Sequence, residues 1–256
     1  YDRGTTISGQ AIIGRLTRYQ TFLNGTNLVI NPATRFVLIG ESKTTGLPIL
    51  HHSHGVGSLA FAADGTLLVT MGDGASYEGL DAGSDPGTFY AQALTDGIIR
   101  PAENVGAFRA QLVNCMNGKL LRIDPLTGNG VPSNPFYSPA EPRTPKSRVW
   151  ALGLRNAFRI FVKPGTGSTD PAVGDIGEVY IGDVGFASWE EINICKSPGT
   201  NFGWPIYVGL EYTIPLVLGD ITYNDLNVEN LDEPNPLFGT NGCTQQYLRF
   251  NQLIKQ

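Results

Sequence analysis

Apolar and polar residues alternate along much of the chain, in short runs separated by turn residues. The alternation is clearest at Leu67, Val69 and Met71, and it is typical of half-buried β-strands. Further runs of strand character lie at 14–22, 26–30, 34–41, 57–74, 118–125, 148–154 and 177–185. Asp and Gly stand between these runs where hairpin turns favour them. The pattern therefore predicts an all-β protein.

Two of these runs are similar to each other. "GTLLVTMGDG" (65–74) and "GEVYIGDVG" (177–185) each begin with Gly, continue as an apolar strand and end on a Gly-Asp pair closely followed by Gly. Repetition of one strand and turn is typical of radially repeated sheets. The repeat therefore favours a β-propeller with blades of about 40–50 residues.

Residues 75–117 interrupt this rhythm. We expect a long excursion there, with one short helix near 88–94. Long ordered loops in compact domains are usually functional or covered by a partner. The acids Glu78, Asp81 and Asp85 are either calcium ligands or solvated loop residues, and their spacing fits no EF-hand.

Composition excludes several classes of protein. The 256 residues include 32 Gly and 17 Pro, and only 16% are charged, which suits short strands joined by turns rather than a helical bundle. The net charge of −5 argues against a nucleic-acid partner. We expect no membrane span, because no run of about 18 apolar residues exists. The three cysteines form no C-x-x-C pair.

All three histidines, His51, His52 and His54, lie within the segment "LPILHHSHGVG". The neighbouring Pro and Gly residues make a helix improbable there. In an extended segment His52 and His54 share a face and His51 points away. The cluster is therefore a metal site, a proton-transfer site or a polar loop.

A hairpin gives His54 a possible partner. The strand that begins at Ser58 turns at Asp64-Gly65 and returns to Asp73. A hairpin of that length brings Asp73 beside His54, where its carboxylate either orients the imidazole as a His–Asp dyad or only caps a turn.

Two other segments carry candidate binding groups. Arg155 and Asn156 leave a strand end, where they either present a cation and an amide to an anionic ligand or form a buried, backbone-satisfied pair. In 182–205 the acids Glu190 and Glu191 follow a Gly-rich turn. Exposed carbonyls together with a Glu suit a hard cation such as calcium.

Four segments together resemble the glucose/sorbosone dehydrogenase family, the soluble quinoproteins that use pyrroloquinoline quinone (PQQ) and calcium. They lie at 54–74, 118–137, 149–160 and 182–205, in the order of the family. The resemblance implies a six-bladed β-propeller of the quinoprotein glucose dehydrogenase type, with the quinone on its top face. It also implies oxidation of an aldose sugar at its anomeric carbon to the lactone, in a secreted or periplasmic protein.

The resemblance also assigns roles to residues. His54 matches the base that takes the proton of the anomeric hydroxyl, and Asp73 matches its acidic partner. Arg155 and Asn156 match the residues that flank the quinone and stabilise its reduced form.

Calcium positions follow from the same resemblance. The carbonyls of Gly185 and Phe186 match those that hold calcium and contact the cofactor, although the family often has Pro at the second position. A further calcium in some members implies the side chain of Glu191 and the carbonyl of Phe202, with a spacer one residue longer here.

The length departs from the family. We expect residues 1–256 to form a single propeller domain of only four to five blades, with no counterpart after Pro205 to the basic residues that clamp the quinone. We therefore expect another chain or a missing C-terminal segment to complete it, since open sheet edges are avoided.

In a secreted setting we pair Cys195 with Cys243. The alternative function is a non-catalytic secreted propeller used for binding or adhesion, possibly stabilised by calcium.

Overall fold

A computed structural model describes residues 10–186, 189–209, 211–212 and 228–253. The strands are β1 (Ile12–Gly14), β2 (Leu16–Asn24), β3 (Asn27–Ile39), β4 (Leu47–Ile49), β5 (Val56–Phe61), β6 (Leu67–Met71), β7 (Lys119–Ile123), β8 (Val149–Leu152), β9 (Ala157–Val162), β10 (Val179–Asp183), β11 (Glu191–Cys195), β12 (Tyr207–Val208), β13 (Glu211–Tyr212), β14 (Glu229–Pro234) and β15 (Tyr247–Arg249).

The helices are short. They are α1 (Tyr90–Thr95), α2 (Pro145–Arg148) and α3 (Phe250–Leu253), with 3₁₀ turns at Pro101–Glu103, Gly106–Gln111 and Pro171–Val173. Strands dominate, which confirms the all-β prediction. No helix in the described part of the chain is long and apolar enough to cross a membrane.

The central element is a four-stranded antiparallel sheet in the order β5-β6-β7-β8. Its inner strand β6 is buried at every position rather than at alternate ones. Leu68 packs into a cluster on one face of the sheet, while Val69 and Met71 pack into a cluster on the other. The strand is therefore covered on both faces, as in a blade between two neighbours.

The adjacent sheet, β9-β10-β11, is antiparallel and three-stranded. It packs against β5 and shares a core with the first sheet through Leu68, Trp150 and Val179. A Cβ at Gly57 would lie 2.0 Å from the carbonyl oxygen of Ala157, so this close approach of β5 and β9 needs a glycine. Two meander sheets packed face to face agree with the predicted partial propeller.

The remaining strands pair two by two, as β1-β4, β2-β3, β12-β13 and β14-β15. The β2-β3 hairpin turns at Gly25 and Thr26, between the paired residues Asn24 and Asn27, and Gly25 has a φ of 64°. The two apolar runs predicted at 26–30 and 34–41 form one strand, β3, because no turn interrupts them.

The excursion at 75–117 is folded against the sheets. It contains the predicted short helix as α1, and Phe108 packs in a buried cluster with Trp204 and Phe250. Asp81 is buried and accepts a hydrogen bond from the backbone of Gly83, so it is not the solvated acid that its loop position suggested.

A buried ion pair joins two parts of the first sheet. Nη2 of Arg122, on β7, lies 2.6 Å from Oδ2 of Asp64 in the β5–β6 turn, and neither side chain is exposed. The guanidinium of Arg122 also lies 5.0 Å from the centre of the Trp150 ring.

The predicted disulfide is wrong, because Cys195 and Cys243 are both free. Cys195 ends β11 and belongs to the core shared by the two sheets. Cys243 lies instead in a turn beyond β14, where its sulfur accepts a hydrogen bond from Asn235.

Candidate active site

The hairpin brings His54 and Asp73 together, as its length predicts. Nδ1 of His54 lies 2.8 Å from Oδ1 of Asp73, and the two side chains are 5% and 0% exposed. Asp73 follows β6 directly, and His54 precedes β5, so paired strands fix the distance between them. The contact is a buried histidine–carboxylate pair, and its geometry is that of a base held by an acid.

The backbone at His54 is unusual. His54 has a φ of 53°, in the left-handed region that few non-glycine residues adopt. Its carbonyl accepts a hydrogen bond from the backbone of Gly74 at 3.2 Å. A Cβ at Gly72 would lie 2.5 Å from that carbonyl oxygen. Gly72 therefore leaves room for the bend that turns His54 toward Asp73.

Asp73 has further partners that hold it in place. Nε1 of Trp204 donates to Oδ2 at 2.7 Å, and the backbone N–H of Ala75 donates to Oδ1 at 2.9 Å. Burial raises the pKa of Asp73, but His54, Arg155 and the Ala75 N–H outweigh burial and hold that pKa below its usual value. The carboxylate is therefore ionised and can only accept hydrogen bonds.

The excursion supports the same turn. Arg109 is buried, and it donates from Nε to the carbonyl of Asp73 and from Nη2 to that of Gly74, each at 3.0 Å. Nζ of Lys119 donates in turn to the carbonyls of Arg109 and Ala110. Sequence reasoning missed Arg109, because nothing in the excursion marks it.

The predicted Arg155-Asn156 pair lies beside Asp73. The backbone N–H of Asp73 donates to the carbonyl of Arg155 at 2.8 Å. A second carboxylate, Asp183, accepts the backbone N–H groups of Arg155 at 3.0 Å and Asn156 at 2.6 Å. Burial raises the pKa of Asp183 to about 7 against these hydrogen bonds. The repeated Gly-Asp pair could have identified Asp183 from the sequence. Asp183 stands at the end of β10 as Asp73 stands after the end of β6.

The side chain of Arg155 lies between two aromatic rings. Its guanidinium carbon is 5.4 Å from the ring centres of both Phe186 and Trp204. Nη1 donates to the carbonyls of Val184 at 3.0 Å and Gly185 at 2.8 Å. Nε is buried without a hydrogen-bond partner among the described residues. The arrangement offers a positive charge beside flat apolar faces.

These groups suit a planar, anionic quinone such as PQQ. Arg155 has one donor, Nε, without a hydrogen-bond partner among the described residues, and the rings of Phe186 and Trp204 flank its guanidinium. Through this donor Arg155 could hold a quinone carboxylate or quinone oxygen.

The predicted calcium ligands fit less well. The carbonyl of Gly185 already accepts from the cationic guanidinium of Arg155. The carboxylate of Glu191 accepts from Asn193 at 2.9 Å and from the backbone of Gly209. The ring of Phe202 packs on the shared core. The oxygens of Gly185 and Glu191 thus already have partners within the protein, and calcium at these positions stays a prediction.

The side chains of the other two histidines do not point to opposite sides, as they would in an extended segment. His51 is buried with a relative exposure of 2% and His52 is exposed, yet their ring centres are 4.0 Å apart. Residues 51–54 form successive bends rather than an extended strand. Burial, followed by the neighbouring His52, lowers the pKa of His51.

A cleft of about 510 Å³ lies elsewhere on the molecule. Its polar lining includes Gln111, Asn114, Asn201 and Asp232. None of the predicted site residues lines it, so its volume alone does not make it the reaction site.

Meander sheets packed face to face, with the His–Asp pair and an aromatic-flanked arginine at neighbouring strand ends, define a protein of the β-propeller class. A model of the glucose/sorbosone dehydrogenase family matches residues 44–236. That match covers more than half of the chain, so the chain belongs to the glucose/sorbosone dehydrogenase family. The family prediction is confirmed.

Solved structures show partial similarity. A PQQ-bound aldose sugar dehydrogenase from Streptomyces coelicolor has a TM-score of 0.46 and 19% identity, over 81% of this chain and 52% of that one. A glucose dehydrogenase has a TM-score of 0.42 and 22% identity, over 68% of this chain and 36% of that one. The chain thus spans about half of the first and about a third of the second. The comparison with curated proteins gave no match.

Proposed function

We propose that this chain carries the catalytic base of a PQQ-dependent aldose dehydrogenase that oxidises a sugar at its anomeric carbon to the lactone. The observation that supports it most directly is the buried contact of His54 with Asp73, beside the aromatic-flanked Arg155. Membership of the glucose/sorbosone dehydrogenase family supplies the reaction class.

The His–Asp contact determines which nitrogen acts as the base. An ionised Asp73 can only accept a hydrogen bond, so Nδ1 of His54 carries the hydrogen. The neutral ring then has its lone pair on Nε2, which takes the proton of the anomeric hydroxyl. Asp73 stabilises the imidazolium that results. PQQ, when bound, supplies the oxidant that accepts two electrons and the anomeric hydrogen as a hydride.

Arg155 provides charge at the cofactor. Its guanidinium favours anionic groups, both the carboxylates of a quinone and the charge that develops on reduction. Asp183 fixes the backbone of Arg155 and Asn156 at two points. It is therefore a positioning residue, which holds the cation at the strand end without itself touching the ligand.

Calcium, the sugar and the location of the protein belong to the same proposal. We place calcium at the carbonyls of Gly185 and Phe186, which requires Arg155 to leave or share the Gly185 oxygen. The second proposed calcium site uses Glu191 and the carbonyl of Phe202. We also propose a small aldose as substrate and a secreted or periplasmic location, as expected for this family.

The test is reconstitution of the purified protein with PQQ and calcium, followed by dye reduction with several aldoses. His54→Ala should lower the rate by about 10²–10⁴-fold, the usual contribution of general-base catalysis. Arg155→Ala should weaken quinone binding, whereas Arg159→Ala, an exposed arginine on β9, should not. A folded protein that neither binds PQQ nor reduces dye would sink the proposal and favour the non-catalytic binding propeller.

A further inference from the structure

Three side chains outside the proposed active site converge on one point. His51, His52 and Glu78 each place a nitrogen or carboxylate oxygen so that these three atoms lie within 4.8 Å of one another. The first two precede the base His54, and Glu78 comes from the excursion. The cluster therefore joins two segments that are separate in the sequence.

One nitrogen atom of the buried His51 has no hydrogen-bond partner among the described residues. This atom, Nε2 of His51, is inaccessible to solvent. A buried polar atom without a partner costs free energy, so such an atom calls for an explanation. Its other nitrogen, Nδ1, lies 2.7 Å from Oγ of Ser53. That contact fixes the ring and leaves Nε2 as the atom available to a ligand.

We propose that His51, His52 and Glu78 bind a late first-row divalent metal ion, such as zinc, with one position left for water. Two imidazoles and one carboxylate suit zinc, cobalt or nickel and do not suit calcium, which prefers oxygen ligands. This site is separate from the calcium positions proposed at Gly185 and Glu191, and it does not depend on the quinone.

The present spacing needs only a small adjustment. Ligands at 2.0–2.1 Å from a tetrahedral zinc ion lie about 3.3 Å apart, so the cluster has to close by up to about 1.5 Å. His52 and Glu78 are both exposed, and rotation of their side chains can supply this movement while the buried His51 stays fixed. Tyr77 lies edge-on to the rings of His51 and His52 and packs beside them.

The consequence of metal binding is mechanical. A bound ion would cross-link the segment that carries His54 to the start of the excursion, at Glu78. Ser53 would act from outside the ligand set, by holding the His51 ring through Nδ1. The bound metal ion would therefore fix the conformation of the segment that leads to the His54–Asp73 pair.

The experiment titrates tag-free, full-chain protein with Co²⁺ in the absence of PQQ and follows the visible d–d absorption, with Zn²⁺ and Ca²⁺ as competitors. We expect one Co²⁺ per chain, displaced by Zn²⁺ and not by Ca²⁺. His52→Ala and Glu78→Gln alter exposed residues and should keep the fold, so they are the decisive variants. Loss of a residue that only orients a metal ligand lowers metal affinity by about 10–100-fold. Ser53→Ala should lower Co²⁺ affinity within that range, and His52→Ala and Glu78→Gln should each lower it by more.

The matched control is Glu233→Gln, which removes the charge of an exposed carboxylate on β14 and should leave Co²⁺ affinity unchanged. Absence of saturable Co²⁺ or Zn²⁺ binding by the folded protein would overturn the proposal. Equal affinity in the unaltered chain, His52→Ala and Glu78→Gln would overturn it as well. None of these readouts involves sugar oxidation, so they separate this proposal from that of the dehydrogenase.

Discussion

The indole of Trp204 donates a hydrogen bond of 2.7 Å to Oδ2 of Asp73, a residue 131 positions earlier in the chain. The other oxygen of Asp73 holds His54. The carboxylate is thus held from both sides, and its direction toward the imidazole depends on a residue from a distant segment. Trp204 also borders Arg155, so one ring contacts both parts of the proposed site.

We predict that Trp204→Phe destabilises the protein through loss of this one donor. A hydrogen bond to a charged group is worth about 1.5–3 kcal/mol, and Phe keeps most of the apolar contacts. Chemical denaturation should show a loss in that range, and the dye-reduction rate should fall with it. The control is Trp189→Phe, because Trp189 is 51% exposed. Equal losses in the two variants would contradict a special role for the Asp73 contact.

Asp183 gives the stability of the protein a distinctive pH dependence. Its pKa is raised to about 7 by burial, while the unfolded chain has an ordinary value of about 4. Between these values the folded state binds the proton and the unfolded state does not. The free energy of unfolding therefore decreases as pH rises from about 4 to about 7, with a slope of up to about 1.4 kcal/mol per pH unit, and the decrease stops above that range.

Denaturation curves at several pH values test this prediction. Asp183→Asn should remove this part of the slope of stability against pH. The overall stability of the variant should be lower, because one of two acceptors for backbone N–H groups is lost. Asp175→Asn alters an exposed acid that precedes the same strand and should keep the slope. A pH profile of Asp183→Asn that parallels the unaltered chain would show that Asp183 titrates in its ordinary range.

Local relationships were predictable from the sequence, and distant ones were not. The contact of His54 with Asp73 follows from the length of one hairpin, because the two residues are 19 positions apart in the sequence. The contact of Trp204 depends on how separate segments pack, which no spacing reveals. The faces assigned to the three histidines were wrong because the prediction assumed an extended backbone, whereas residues 51–54 form successive bends.

In the fold, too, local features were predictable from the sequence and distant contacts were not. Strand positions followed from apolar runs and turn residues, because pairing in a meander is local. The burial of β6 on both faces was not readable from its alternation, since it depends on a neighbouring sheet. The disulfide guess failed because it required Cys195 to leave a core into which its own strand places it.

The buried pair of Arg122 and Asp64 predicts an asymmetric mutational response. Arg122→Met should destabilise the protein by about 3–5 kcal/mol, because it leaves Asp64 buried without its cation. The double variant, Arg122→Met with Asp64→Asn, should lose less than the sum of the single changes. Urea unfolding measures both. Lys163→Met, which breaks an exposed pair with Glu178, should change stability little. Additive losses would show that the two buried charges do not depend on each other.

Gly72 and Gly182 offer a matched test of how the fold positions His54. They precede Asp73 and Asp183, and neither has a left-handed backbone, so alanine meets no intrinsic strain at either. A Cβ at Gly72 would lie 2.5 Å from the carbonyl oxygen of His54, whereas at Gly182 the nearest atom is 3.8 Å away. Gly72→Ala should therefore cost about 1–3 kcal/mol, as overpacking does. It should also shift His54 away from Asp73, which NMR of the imidazole nitrogens would detect. Gly182→Ala should be neutral or stabilise by up to about 1 kcal/mol. Similar behaviour of the two variants would mean that the backbone at His54 adjusts freely and that Gly72 does not set its position.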